Sequence, residues 1–114
     1  MPRGWARIAD MQDALDRLYA TILARRTGDA GTSYVAKLTA KGRDKIAQKV
    51  GEEAVETVIA AIRDDRNAII SESADLLFHL AILWADAGVT PADVAAELDR
   101  RRGVSGITEK AARR

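Results

Sequence analysis

Over residues 9–26 the apolar side chains Met11, Leu15, Leu18, Tyr19, Ile22 and Leu23 recur every three or four positions, with polar residues between them. That spacing gathers them on one face of an amphipathic helix. The small, polar run 27–33 breaks the pattern and reads as a loop and a candidate for mobility. Ser33 is placed to cap a short helix running to Ala40 and stopped by Gly42. Two longer helical patterns follow, over about 44–64 and about 67–87, joined by only a few residues, and Gly88 ends the second. Thr90 followed by Pro91 is a helix start with proline at the first helical position, opening a last helix to about Arg102. No segment alternates as a strand and no repeat is present. The pattern predicts an all-α domain of four to five helices.

Side-chain directions in the two long helices follow from an advance of about 100° per residue. On 44–64, Val50, Ala54, Val55, Val58, Ile59 and Ile62 cover an apolar arc of roughly 220°, with Lys45, Lys49, Glu52, Glu53 and Glu56 on the remainder. On 67–87 apolar residues reach nearly all the way round, and Glu72, Asp75, His79 and Asp86 are confined to a strip about 60° wide. A helix apolar on almost every side belongs inside, so its acidic strip is no ordinary solvated face. The short link makes the two helices antiparallel, which puts Glu56 level with Glu72 and Glu53 level with Asp75 to within about 3 Å. Four carboxylates thus converge. The ordinary alternative is a solvated surface with neighbours such as Lys49 and Glu53 paired for roughly a few tenths of a kcal/mol. Two matched pairs between largely apolar faces favour convergence, which costs about several kcal/mol unless a proton or a cation intervenes.

Composition narrows the chemistry. The chain has 114 residues, enough for one domain, with 47% hydrophobic and 31% charged residues. A net charge of +1 gives no global reason to expect nucleic acid or an anionic membrane as partner. The absence of cysteine excludes disulfides and thiolate metal sites and fits a cytoplasmic location. The first residues carry positive charge without an apolar leader core, and no run approaches the length of a membrane span. The expected organisation is a flexible tail over 1–9, the helical domain over 10–102 and a basic tail over 103–114. Because all the converging groups are carboxylates, the expected ion is Mg²⁺, or Mn²⁺, rather than zinc, for which the chain has a single histidine. A di-iron site would need E-x-x-H motifs, which are absent. His79, one turn beyond Asp75, suits a supporting role or a substrate contact.

Just ahead of the acidic face, "KLTAKGRDKIAQK" sets Lys37, Lys41, Arg43, Lys45 and Lys49 against one Asp44. Positive charge beside a carboxylate-held cation suits a phosphorylated substrate. Lys41, Lys45 and Lys49 are the candidate phosphate contacts, Lys49 foremost because it lies one turn before Glu52 and Glu53. The wide apolar arcs suggest a homodimer, since four helices of one chain cannot cover the second long helix on all sides.

The strings "SYVAKL", "KGRDKIAQKVGEEAVE", "ESADLLFHL" and "GVSGITEKAARR" together closely resemble the phosphoribosyl-ATP pyrophosphatase family of histidine biosynthesis, within the MazG-like all-α nucleoside triphosphate pyrophosphatase superfamily. The shared motif of that superfamily is E-x-x-E followed by E-x-x-D, matched here by Glu53, Glu56, Glu72 and Asp75. Val35 stands where the family often has threonine. The resemblance implies hydrolysis of phosphoribosyl-ATP to phosphoribosyl-AMP and pyrophosphate, with a divalent ion on the four motif residues. For the general base, Glu52, near Glu56 on the helix but outside the motif, and the ligands themselves, Glu56 among them, all stay open. The resemblance also implies a dimer. With no cysteine and one histidine the chain lacks the ligands of the zinc cyclohydrolase often fused to this activity, so a free-standing pyrophosphatase is expected. Two alternatives stay open: a house-cleaning nucleoside triphosphate pyrophosphatase of the same superfamily, and a non-enzymatic dimeric helical module that docks a basic partner.

Overall fold

The computed structural model describes residues 10–103, and the expectations for the two tails lie outside those residues. Five helices follow one another: α1 (Met11–Arg25), α2 (Tyr34–Lys41), α3 (Arg43–Ile62), α4 (Arg66–Ala87) and α5 (Pro91–Arg100). No strand occurs among the described residues, so the all-α expectation holds.

The helix ends are set by local chemistry. Asp10, Ser33, Asp65 and Thr90 each accept a hydrogen bond from the backbone N–H three residues on, satisfying a first-turn donor that has no intrahelical partner. At Thr90 the box is reciprocal: the Asp93 carboxylate accepts from the Thr90 backbone N–H at 2.9 Å. Gly88 ends α4 in the left-handed region at φ 73°. Gly42 sits between α2 and α3 at φ 95°, ψ 176°, a conformation open essentially to glycine alone, and turns the chain in one residue. The 27–33 segment is closed by Asp29, whose carboxylate accepts from Gly31 N–H at 2.8 Å and whose carbonyl accepts from Ser33 N–H at 2.9 Å.

The core lies at one end of the molecule. Ile22 of α1, Val35 and Leu38 of α2, Ile46 of α3, and Ala81, Ile82 and Ala85 of α4 form one buried cluster, with Leu18, Tyr19, Phe78, Leu83 and Trp84 packed against it. Two arginines pin the end of α4 to it: Arg26 donates to the Ala85 carbonyl at 2.7 Å, and Arg43 pairs with the Asp86 carboxylate at 2.5 Å. The antiparallel α3–α4 hairpin continues beyond this core.

Here the structure departs from the side-chain directions expected above. Fully buried positions on α4 are limited to His79, Ala81, Ile82 and Ala85, and Ile70 is exposed. On α3 the arc Val55, Val58, Ile59 and Ile62 is exposed, while Glu53, assigned to the polar side, is buried. The reason is that α1 and α2 cover the hairpin only at its core end. The expectation that no run approaches a membrane span understates α4, which has the length and hydropathy for one. It is instead the central helix of the packing, touching α1, α2 and α3.

Candidate active site

The three-residue link between α3 and α4 places Glu53 and Glu56 of one helix opposite Glu72 of the other. One carboxylate oxygen from each lies within 4.8 Å of the other two. Asp75 is exposed and stands outside this group of three, near enough that its charge acts on Glu72. Glu53 is only 7% exposed, and the Oε2 atoms of Glu53 and Glu72 are buried with no hydrogen-bond partner.

Buried acceptors without donors are expensive, and like charges add to that. Burial, then a hydrogen bond with Glu56 and the charge of Glu56, push the Glu53 carboxyl above its ordinary range, against the pull of His79 and Lys49. The Glu72 carboxyl is raised first by its hydrogen bond with Glu56, then by burial and by the charges of Glu56, Asp75 and Glu53. A proton taken up by the cluster is one way to relieve this crowding. A divalent cation is the other. Three carboxylate oxygens within 4.8 Å of one another are the kind of donor set a hard divalent ion takes.

Lys49 stands at the edge of the cluster. Its Nζ lies 3.8 Å from Glu53 and 3.6 Å from Glu52. Burial works against the Lys49 charge, but Glu52, Tyr34 and Glu53 outweigh it and hold the ammonium above its ordinary value. Glu52 is not one of the three grouped carboxylates: it accepts from Gln48 at 2.9 Å, and that bond, opposed by burial and aided by Lys49, holds it below the usual carboxylate range.

Lys41, Lys45 and Lys49 line one cavity of about 220 Å³ in the corner between α2 and α3, together with Glu52, Lys37, Leu38 and Tyr34. A second hollow, of about 170 Å³, lies on the other side of the cluster, between Glu56, Glu72, Arg63 and the apolar Ile59, Ala60 and Ala68. The acid cluster therefore sits between a basic cavity and a mixed one.

His79 is buried, and both its ring nitrogens are engaged. Nδ1 must donate to the Asp75 carbonyl at 2.8 Å, since a carbonyl can only accept, and in the neutral ring Nε2 then accepts from the Tyr34 hydroxyl at 2.8 Å. His79 thus supports the site from behind and ties α2 to α4. Burial, countered by Lys49 and reinforced by Glu53 and Glu52, raises the Tyr34 phenol. Tyr34 and Arg63 were not among the expected site residues. The "SYVAKL" string carried the signal for Tyr34; Arg63, at the helix end, had none.

The family model for phosphoribosyl-ATP pyrophosphohydrolase matches residues 15–102. Curated proteins named phosphoribosyl-ATP pyrophosphatase are similar over nearly the full length. The one from Rhizorhabdus wittichii is 65% identical over 103 residues, covering 90% of this chain and 97% of that protein. Those from Azospirillum brasilense and Parvibaculum lavamentivorans are 64% and 62% identical, covering 88% and 87% of this chain and 90% and 91% of theirs. A model match across most of the helical domain, with relatives this close, is decisive: the chain belongs to the phosphoribosyl-ATP pyrophosphohydrolase family, within the MazG-like all-α superfamily.

Proposed function

We infer that this chain hydrolyses phosphoribosyl-ATP to phosphoribosyl-AMP and pyrophosphate, the second step of histidine biosynthesis, with Mg²⁺ or Mn²⁺ as cofactor. The observation that carries this reading is the trio Glu53, Glu56 and Glu72, with two buried, partnerless oxygens, beside a lysine-lined cavity. The donor set fits a hard divalent ion, held by these three residues with Asp75 beside them. When bound, such an ion neutralises phosphate charge and acidifies a water molecule.

The reaction joins water to the α-phosphorus and breaks its bond to the bridging oxygen, and that oxygen leaves with the pyrophosphate. Lys49 and Lys45, on successive turns of α3, are positioned to meet phosphate oxygens at the rim of the cluster, and Lys41 faces the same cavity from α2 as a further phosphate contact away from that rim. Of the candidate bases, Glu56 is favoured over Glu52 to take the water's proton. Glu52 is committed to Gln48 and Lys49, which weakens it as a base and suits it to orienting Lys49.

A second copy of the chain belongs to the same reading. Val55, Val58, Ile59 and Ile62 form an exposed stripe at helical spacing on α3, and Ile70 is exposed on α4 of the same hairpin. Pairing two hairpins would complete a four-helix bundle around the acid clusters.

The test is to incubate the protein with phosphoribosyl-ATP, ATP and dUTP, with and without Mg²⁺, and to detect pyrophosphate. Cleavage of phosphoribosyl-ATP far faster than the others is expected. Equal rates on all three would replace this reading by a house-cleaning activity. No hydrolysis, and a melting temperature indifferent to Mg²⁺, would leave a docking module.

A further inference from the structure

The cavity between α2 and α3 has more positive charge than the acid cluster uses. Four ammonium groups, from Lys37, Lys41, Lys45 and Lys49, line it against the single carboxylate of Glu52. That carboxylate already accepts from Gln48 and faces Lys49. Lys37 and Lys41 make no ion pair among the described residues. They are one turn apart on α2, as Lys45 and Lys49 are on α3, so each pair shares a helix face, and the Gly42 corner turns the two faces toward one space. Lysines held together without counter-charge repel one another, and an anion relieves that repulsion.

The cavity, at about 220 Å³, falls below the roughly 300 to 1,000 Å³ of a pocket that encloses a whole drug-sized ligand. It suits one end of a longer molecule. Lysine ammonium groups approach from several directions as point charges, which matches the tetrahedral oxygens of a phosphate monoester. Tyr34, at the edge of the cavity, has its hydroxyl engaged by His79 and offers ring surface. A ring beside a cluster of cations is a fit for a sugar carrying a terminal phosphate.

We propose that the α2 side of this cavity, at Lys37, Lys41 and Tyr34, is the subsite for the sugar phosphate of the substrate, and that these residues separate phosphoribosyl-ATP from plain nucleoside triphosphates. The proposal rests on the reading that phosphoribosyl-ATP is the substrate. It divides the anionic groups of that molecule between two places: the triphosphate at Glu53, Glu56, Glu72, Lys45 and Lys49, and the terminal monoester at Lys37 and Lys41. Binding energy from the remote phosphate is then available at the reacting phosphorus.

The experiment has two arms. In the first, kcat/KM is measured for phosphoribosyl-ATP and for ATP with wild type, Lys37→Gln and Lys37→Arg. The ratio of the two values is expected to fall about tenfold or more in Lys37→Gln, since one charge-assisted contact is lost, and to recover in part in Lys37→Arg. An unchanged ratio with both values lowered would overturn the proposal, because the lysine would then serve the triphosphate. In the second arm ribose 5-phosphate is titrated into the wild-type protein and followed by amide NMR. Shifts confined to residues 34–45 are expected, and should vanish in Lys37→Gln; shifts centred on Glu53 and Glu72, or none, would overturn it. The second arm needs no turnover. It therefore still reads the subsite if phosphoribosyl-ATP proves not to be the substrate, an outcome the first arm alone reports. Lys37 is exposed and outside the core, so both variants should fold; a melting curve checks this.

Discussion

At the scale of single residues, the cluster is built against its own stability. Glu53 and Glu72 have carboxyls raised above the 4.5 of an unstrained glutamate. The folded state therefore binds protons more tightly than the unfolded chain, and stability from these groups is lost as pH rises above 4.5 toward their folded values. Glu56→Gln removes the charge that contributes to both shifts while keeping the shape. Without metal, this variant should melt no lower than wild type at pH 7, and its melting temperature should depend less on pH above 4.5. If Glu56 has the roles proposed for it, hydrolysis should fall by about 10²-fold or more, because a metal ligand and the base would be lost together. Calorimetry across pH 4.5–8, paired with pyrophosphate release, checks both halves. A structural ion pair would give the reverse pattern, with a clear loss of apo stability and retained activity.

Among the elements, the corner at Gly42 has the largest effect on the site for its size. A Cβ added there would meet nothing within 4 Å, so substitution acts through the backbone alone. Gly42→Ala should cost about 1–3 kcal/mol, because φ 95° is closed to an L side chain. The relaxed corner would also splay α2 from α3, so KM should rise; urea unfolding and steady-state kinetics measure the two effects. Element boundaries were legible where chemistry is local: Ser33, Thr90 with Pro91, and Gly88 sit at their expected places. Gly42 was legible as a stop for α2, with the next helix expected almost at once, from about Asp44; the sharp corner itself was not, since a positive φ leaves no trace in periodicity. Likewise the convergence of Glu53, Glu56 and Glu72 follows from spacing across a short link. The Tyr34–His79 bond joins residues far apart in sequence and has no periodic signature. The apolar arc of α3 was legible as apolar; its exposure was not, because a pattern shows what must be covered without saying what covers it.

For the whole molecule the exposed stripe is decisive. If two hairpins pair, Val58→Lys with Ile62→Lys should reduce a two-chain species to one in sedimentation, and lower the melting temperature in a concentration-dependent way. In a monomer these exposed positions, at 56% and 79% accessible, would change stability by only about 0.5 kcal/mol. A wild-type chain that sediments alone at micromolar concentration would refute the pairing. The hairpin also fixes an order of events. Glu53, Glu56 and Glu72 all belong to α3 and α4, joined by a three-residue link, so the repulsion among them arises as soon as these two helices meet, whether or not α1 and α5 have docked. A cation that relieves it can act at that early moment. If the hairpin closes by the transition state, added Mg²⁺ should speed refolding as well as slow unfolding. Stopped-flow refolding with and without Mg²⁺ separates the cases: if only the unfolding limb responds, the hairpin closes late and the ion arrives after folding is over.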